Sequence, residues 1–589
     1  MDKWITDTRP SARFPYYTRA NADEVGPDPV SPLGWSLIWM QGCQPGVAKG
    51  FVEFGVVSFD EYDLDPLQVF GNWGGYFYNP LSLSRLMGER MPGVTAAAID
   101  EAYFGDHPGV PPHMPHPDDE DAAATEKLGA SMAWVMSTDS YPLQEAAAET
   151  ARRVVAERPD LSALTDIGLV ERARAMAAVL DGVWMPYCVV CLAASLGPGA
   201  VQAVCAAIGR PEDAVKAMAG LGNVESADSS FALWDLGRMV RRSAELTAAF
   251  DAGVDGVVPR IEATTDDGRA FHEAWARVLA VSGHRGPNEW DARSHSWTTR
   301  PELALGLVDR LRHQDDGKSP HDARARAAGE RQRVAAEIGE TLAGDAEAAG
   351  TFAAGVKSAG VFLAMRETGK NACIRVIHEA KLALFELGRR MTERGVIAQP
   401  QEVFNLLDDE VDAFLADPHS FSTTLAEREA DFQALHDRQP PYIVGLDRPA
   451  PPIDTWPPRH GTGTPLAEAG DVLQGGPGSA GTVTGTARVV LDPIDAPDLE
   501  PDDILVAPTT DPSWASLFLT VAGVVVNVGA VGSHAAIVCR ELGVPCATSV
   551  VNATERIPDG AMITLDGSTG IVTIVDVPVQ VGGSAAVSR

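Results

Sequence analysis

Residues 509–548 read TTDPSWASLFLTVAGVVVNVGAVGSHAAIVCRELGVPCAT, and this stretch decides how the C-terminal part of the chain folds. A buried strand, VVVNVG, runs into the glycine-rich turn GAVGS, and His534 then opens a helix over 534–542 (HAAIVCREL). Gly543 stands where helices end in a left-handed residue, and Pro545 follows it, so the helix stops there. At a helix N-terminus the free backbone N–H groups and the positive end of the dipole attract an anion. An imidazole in that place can be neutral at working pH, expose a nucleophilic nitrogen, and have its phosphorylated form held by those N–H groups. Gly529 and Gly532 let the backbone approach a phosphate with no Cβ in the way. Ser533 can cap the helix and also hydrogen-bond a phosphate oxygen. Taken alone, Gly-Ser-His before a helix is equally compatible with a capped helix carrying a partly buried histidine.

Working outward, residues 471–579 alternate short β-branched runs (GTVTGTARVV, DDILVAP, AMITLDG, GIVTIV) with Gly, Pro and Asp turns. They predict a small β/α domain with few helices, followed by a flexible tail over 580–589. Before it, residues 437–470 are so rich in proline that no helix can continue, which predicts an interdomain linker. From about 121 to 435 apolar residues recur at helical spacing, in segments such as 143–157, 170–194, 228–251, 269–282 and 321–343. Residues 1–120 are rich in Gly, Pro and aromatics, with strand-like or loop segments such as GFVEFGVVSF (50–59). The expected fold class is multi-domain α+β: a large, mostly helical domain over 1–436, the linker, and the small domain that carries His534.

A chain of 589 residues exceeds one compact domain. Its formal charge of −34 argues against nucleic acid as a partner, because phosphate backbones need a basic face. The N-terminal MDKWITDTRPSARFPYY has no apolar core of a secretion signal, and stretches 176–193 and 517–528 read as interrupted or too short to span a bilayer. No membrane association is expected. Seven cysteines, sparse and odd in number, suit free thiols in a reducing cytoplasm. Cys188 and Cys191 form a C-x-x-C inside an apolar helical run with no second pair nearby, which reads as buried thiols rather than a metal site. The cluster HMPHPDDED (113–121) reads as a solvated loop, and no metal ligands are assigned.

The core S-H-A-A-I-V-x-R-E-L-G-[IV]-P, with GDVL and TDPSW upstream, resembles the swivelling phosphohistidine domain of the phosphoenolpyruvate-utilising enzymes. That family includes pyruvate phosphate dikinase, phosphoenolpyruvate synthase, rifampin phosphotransferase and phenylphosphate synthase. The resemblance implies that His534 is a phosphoryl carrier on a mobile domain. Dikinase and synthase members add an ATP-grasp domain and a pyruvate-binding barrel, and neither is recognised here, nor is a G-x-x-x-x-G-K-[ST] loop. The expectation is therefore a separate ATP-grasp partner subunit, which would hold ATP and Mg²⁺ and charge His534. TRANADEVGPDPVSPLGW (18–35), VFGNWGGYFYN (69–79), GHRGPNEWDARSHSW (283–297) and MRETGK (365–370) are similar to segments of the substrate domain of rifampin phosphotransferase and of the large subunit of phenylphosphate-synthase-like enzymes. Those synthases divide the work between a nucleotide-binding subunit and a histidine-bearing one. A related two-subunit system phosphorylates 4-cresol, and the chain looks similar to its histidine-bearing component.

Residues in these motifs suit phosphoryl transfer, which needs cations on the equatorial oxygens and a positioned acceptor. Arg366 and Lys370 lie four apart on a helix and reach one face. By resemblance they clamp the phosphoryl group, while the alternative is a solvated ion-pair face with Glu367. Arg285 is a second phosphate or substrate ligand, and His284 beside it a general base for a phenolic or alcoholic hydroxyl, unless both serve the turn itself. Glu289 and Glu24 are further polar candidates. Trp35, Trp39, Trp73, Tyr76, Phe77 and Tyr78 suit either a flat aromatic acceptor such as a phenol or cresol, or a core. Two alternatives remain open: a rifampin-type antibiotic phosphotransferase, and a non-catalytic phosphocarrier relay.

Overall fold

The computed structural model describes residues 7–104, 109–222, 224–459, 464–492, 499–511, 514–515, 517–530 and 532–578. The tail expected over 580–589 lies outside the described residues. The helices that position the site are α1 (Ala96–Phe104), α2 (Pro142–Ala156), α3 (Asp166–Ala193), α4 (Glu225–Arg242), α5 (Pro320–Thr341), α6 (Ala346–Glu393) and α7 (His534–Leu542). Helix α6, 48 residues long, is the spine of the first domain. It starts where Asp345 accepts from the Ala348 N–H, and its apolar positions Phe362, Ala372, Val376, Ala380 and Leu387 share a core with Leu169, Ala173, Leu180 and Val190 of α3.

GFVEF is not a strand or loop. It closes a helix over Gln44–Phe54 that lies directly on α3. Gly46 and Gly50 make this possible: a Cβ on Gly50 would stand 2.4 Å from the Cβ of Cys188, and one on Gly46 2.6 Å from that of Trp184. Backbone proximity outweighs the strand preference of the valines and phenylalanines. The helix expected over 228–251 is two helices, because Ser243 adopts an extended backbone and caps the second, accepting from the Leu246 N–H. The other expected helices lie within a few residues of their observed ends.

Two helical stretches, Asp166–Ala207 and Ala346–Glu393, are long and apolar enough to cross a membrane by length and composition. The sequence reading had put 176–193 below that length. Both contribute to the same core, and α6 carries buried Glu379 and Lys381.

The second domain is an eight-stranded sheet of β1 (Val472–Gln474), β2 (Gly476–Ser479), β3 (Thr482–Val489), β4 (Asp503–Ala507), β5 (Gly523–Val526), β6 (Cys546–Thr548), β7 (Met562–Asp566) and β8 (Ile571–Asp576). The spatial order is β1-β8-β7-β3-β4-β5-β6-β2, with β3, β4, β5 and β6 parallel and the outer pairings antiparallel. Parallel strands are covered on both faces, which is why VVV and ILVA read as unbroken apolar runs. Ile504, Val506 and Val525 face the domain's own core with Ile563 and Ile574. Leu505, Ala507, Val524 and Val526 face α7 and, beyond it, Leu233, Trp234 and Leu236 of α4. One apolar core therefore spans the two domains.

The stretch 437–470 is not a free spacer throughout. Ile443–Gly445 pairs antiparallel with Tyr16–Thr18, Trp456 packs on Tyr76, and Arg459 bridges to Asp28 at 2.7 Å. Proline excludes helix but permits this edge pairing, so the stretch up to Arg459 is fastened to the first domain.

Candidate functional site

His534 is the first residue of α7 and is 4 % exposed. Ser533 precedes it with extended backbone, and its hydroxyl accepts from the Ala536 N–H at 3.4 Å. That cap leaves the His534 backbone N–H free to donate to the carboxylate of Glu24 at 2.9 Å, across the domain seam. Neither ring nitrogen of His534 makes a hydrogen bond of normal geometry, although the Asp511 backbone lies close enough to act on the ring. Burial, then the positive charges of Lys370, Arg285 and Arg366, hold the ring well below the usual histidine range, with only the Asp511 backbone opposing them. The imidazole is neutral, and both nitrogens face a cationic wall.

That wall comes from two elements, α6 and the turn that carries Arg285. Arg366 and Lys370 are one turn apart on α6, and a Cβ on Gly532 would lie 3.9 Å from Nη1 of Arg366. Lys370 Nζ is 3.2 Å from Glu289, and Arg285 donates to the same carboxylate at 3.3 Å. Arg285 is fixed by its turn: the Trp297 N–H donates to its carbonyl at 2.8 Å, and a Cβ on Gly286 would fall 2.2 Å from the His295 carbonyl. Asn288, with φ of 46°, presents its N–H to Asp511 of the second domain at 2.9 Å. Burial pushes the Glu24 carboxyl up, against Arg366 and its bond from His534. Glu289 screens two of the cations, and Glu24 occupies the anion position at the helix N-terminus. A phosphoryl group on His534 brings the charge that can replace both.

The structure thus brings together His534, Ser533, Gly532, Arg366, Lys370, Arg285, Glu289 and Glu24. His284 lies a layer behind. Its charged neighbours are Arg285, Arg375, His378 and Lys381, burial drives its pKa well below normal, and its Nε2 has no hydrogen-bond partner. Lys381 in the same layer is pushed down to about 8 by burial, with Asp291 and Glu289 opposing.

The aromatic residues of the N-terminal motifs are core. Trp35, Trp39 and Phe77 pack with Trp184 and Trp290, while Trp73, Tyr76 and Tyr78 pack with Tyr17 and Trp456. All seven cysteines are free, and six are buried; Cys191 is exposed, contrary to the expected buried pair. In the acidic loop Asp119 pairs with Arg13 at 2.8 Å and accepts from the His116 N–H. Among the described residues no group of three or more His, Cys, Asp or Glu side chains stands together as metal ligands would. Sequence reasoning missed Asp511 and Glu541. Glu541 of α7, 1 % exposed, accepts from the Leu221 and Gly222 N–H groups at 2.6 and 3.0 Å.

A swivel-type sheet domain presenting a histidine at a helix N-terminus to cations of a helical domain defines the class. Residues 499–570 match the mobile domain of PEP-utilising enzymes, and residues 183–367 match the fourth domain of rifampicin phosphotransferase. The chain therefore carries a PEP-utilising mobile domain joined to a domain of rifampicin phosphotransferase type. An uncharacterized protein of Mycobacterium tuberculosis is 32% identical over 324 residues, covering 55% of this chain and 34% of its own length. Rifampicin phosphotransferase of Streptomyces sviceus is 30% identical over 364 residues, 60% of this chain and 40% of the relative. The Bacillus subtilis enzyme of that name is 28% identical over 316 residues, 52% and 35%. The chain spans about a third to two fifths of the length of these relatives.

Proposed function

We propose that this chain is the carrier-and-acceptor subunit of a phosphotransferase, taking a phosphoryl group on His534 and passing it to the hydroxyl of a small aromatic compound such as a phenol or cresol. The observation that carries the reading is the buried His534 ring at the helix N-terminus, bonded to no side chain and held in its neutral form among Arg366, Lys370 and Arg285. In this proposal ATP and Mg²⁺ are held by a separate ATP-grasp subunit, and no step on this chain runs through a metal. The acceptor oxygen forms the new P–O bond as the P–N bond breaks and its electron pair returns to the ring nitrogen. The hydroxyl proton goes to Glu24, the carboxylate nearest the helix N-terminus, whose affinity for a proton burial has raised. Arg366 and Lys370 hold the charge of the transferring group.

The match of residues 183–367 favours one second reading, a bulky antibiotic hydroxyl as acceptor. One experiment separates the outcomes: incubate the chain with radiolabelled ATP, with and without an ATP-grasp partner, then add phenol, 4-cresol or rifampicin. The expected result is partner-dependent labelling at His534 that discharges to a phenol. If His534→Ala is still labelled and turns over, the carrier reading fails; discharge to rifampicin alone selects the second reading.

A further inference from the structure

Cys191 combines two properties rarely found together. It is the one exposed thiol of the seven, yet its surroundings are those of the protein interior: burial raises its pKa, and it lies within electrostatic reach of Arg366 and Glu367 and in hydrogen-bond contact with Tyr187. A side chain that is both exposed and enclosed lines a cavity. Tyr103 of α1 has the same pair of properties, 36% exposed but desolvated, and it senses Cys191.

The cavity leads toward the phosphoryl site, because Arg366 is within electrostatic reach of both ends, Glu24 and His534 on one side and Tyr187 and Cys191 on the other, and Gly369, beside Tyr187, lies one turn along α6 from it. Polar groups around it are short of partners. Gln144 of α2, 1 % exposed, has neither amide atom hydrogen-bonded, and neither Nη1 of Arg366 nor Oε2 of buried Glu367 has a partner. The Gln144 amide lies beside Tyr187 at Gly369, where a Cβ would come within 2.7 Å of the Tyr187 ring and 3.0 Å of the amide nitrogen. Gly369 therefore lets Tyr187 and Gln144 pack directly against the backbone of α6, one turn from Arg366. Behind Tyr187, the stacked Trp290 ring (6.0 Å, 26°) continues the aromatic wall.

Resting on the function proposed above, we infer that Cys191, Tyr187 and Tyr103 line the acceptor pocket, and that it takes an uncharged, single-ring hydroxy compound with its hydroxyl toward Arg366. The wall supplies rings and a protonated thiol, and the one cation at its mouth is already matched by Glu24 and Glu367. A carboxylate on the ring would lie among Tyr187, Tyr103 and a protonated thiol, away from Arg366, Lys370 and Arg285, while a neutral ring finds π-faces and a hydroxyl finds Arg366 and Glu24. Cys191 acts as a lining residue that shapes what fits.

Its exposure makes the test direct. The full chain is treated with methyl methanethiosulfonate at mildly alkaline pH, with and without phenol, 4-cresol, 4-hydroxybenzoate or rifampicin, and the modified cysteine is located by mass spectrometry. Modification is expected at Cys191 alone, slowed by phenol and 4-cresol and not by 4-hydroxybenzoate. Fully modified protein is expected to be phosphorylated on His534 by its donor yet to lose transfer to the phenol, and Cys191→Ser, compared treated with untreated, to show no change on treatment. Modification of Cys191 that no phenol slows, undiminished transfer after full modification, or protection by rifampicin alone would each overturn the inference. Protection requires no phosphoryl transfer, so its failure is distinct from a failure of His534 to become labelled.

Discussion

At the scale of single residues, the same three cations do two jobs on one imidazole. Arg285, Arg366 and Lys370 disfavour the protonated ring, which keeps it nucleophilic, and they favour the phosphorylated ring, which is anionic. If loading takes place at another site, as in the proposed function, removing one of them should hurt transfer more than loading. Arg366→Met is expected to slow discharge to the acceptor by about 10²–10³-fold, with His534 still labelled by the donor; single-turnover kinetics from pre-labelled protein measures it. The ring's depressed pKa also fixes a pH dependence for docking. In the docked state His534 binds fewer protons than when free in water, so docking strengthens as pH rises through about 6.5 and weakens below it, by about 1.4 kcal/mol per pH unit while only the free form is protonated. Hydrogen exchange at 534–542, compared at pH 8 and 5.5, should show that loss, and His534→Gln should flatten it. Much of this site was legible in the chain. The four-residue spacings of Arg366 with Lys370 and of Arg285 with Glu289 are helix and turn geometry. Asp511 and Glu541 were not legible, because their partners lie 223 and 320 residues away and are backbone N–H groups that leave no mark in the sequence.

Elements hold the site through short-range rules that fail in identifiable places. Helix α7 has nine residues, all buried, and is stopped at both ends by local chemistry: the Ser533 cap and Gly543 at φ of 67°. Ser533→Ala is expected to cost about 1 kcal/mol of domain stability. Gly543→Ala should cost about 1–2 kcal/mol, the price of a Cβ in the left-handed region; urea unfolding measures both. Periodicity located the helices with one wet face and the alternation of strands and turns around His534. It failed at 44–54, where glycine and β-branched residues mimic a strand because the helix presses its backbone onto α3. Gly50→Ala tests that explanation. With a Cβ only 2.4 Å from that of Cys188, the helices must separate, and a loss of about 1–3 kcal/mol is expected although alanine favours the helix itself.

For the whole molecule, the proposed carrier role raises the question of what would let a domain sharing an apolar core with its neighbour leave it to reach a second site. Among the described residues, each carboxylate contact across the seam ends on a backbone N–H: His534 to Glu24, Asn288 to Asp511, and Leu221 with Gly222 to Glu541, with exposed Lys318 reaching the Pro501 carbonyl beside them. Such bonds are sharply geometric and have water as a ready substitute once the domains part, so they select one docked position while leaving the separated state satisfied. Glu541 is the strongest case, with one carboxylate satisfying two donors while 1 % exposed. Burial raises its pKa, so the docked state binds more protons there than the separated one, and this residue favours docking increasingly as pH falls toward the carboxylate range, opposite in sign to His534. Glu541→Ala leaves two N–H groups unpaired only in the docked state. It is expected to weaken docking by about 1–3 kcal/mol, roughly ten- to a hundred-fold in the docked population. Small-angle scattering should then show an expanded molecule, and exchange protection at 534–542 should fall. Transfer from pre-labelled His534 should slow, while charging by the donor is expected to be unchanged or faster if, as the proposed function requires, the donor meets the separated domains. Lys318→Ala, which removes an exposed contact to the Pro501 carbonyl at the same seam, should leave all of these unchanged. A slower charging step in Glu541→Ala would mean that the residue serves the fold of the small domain rather than its docking.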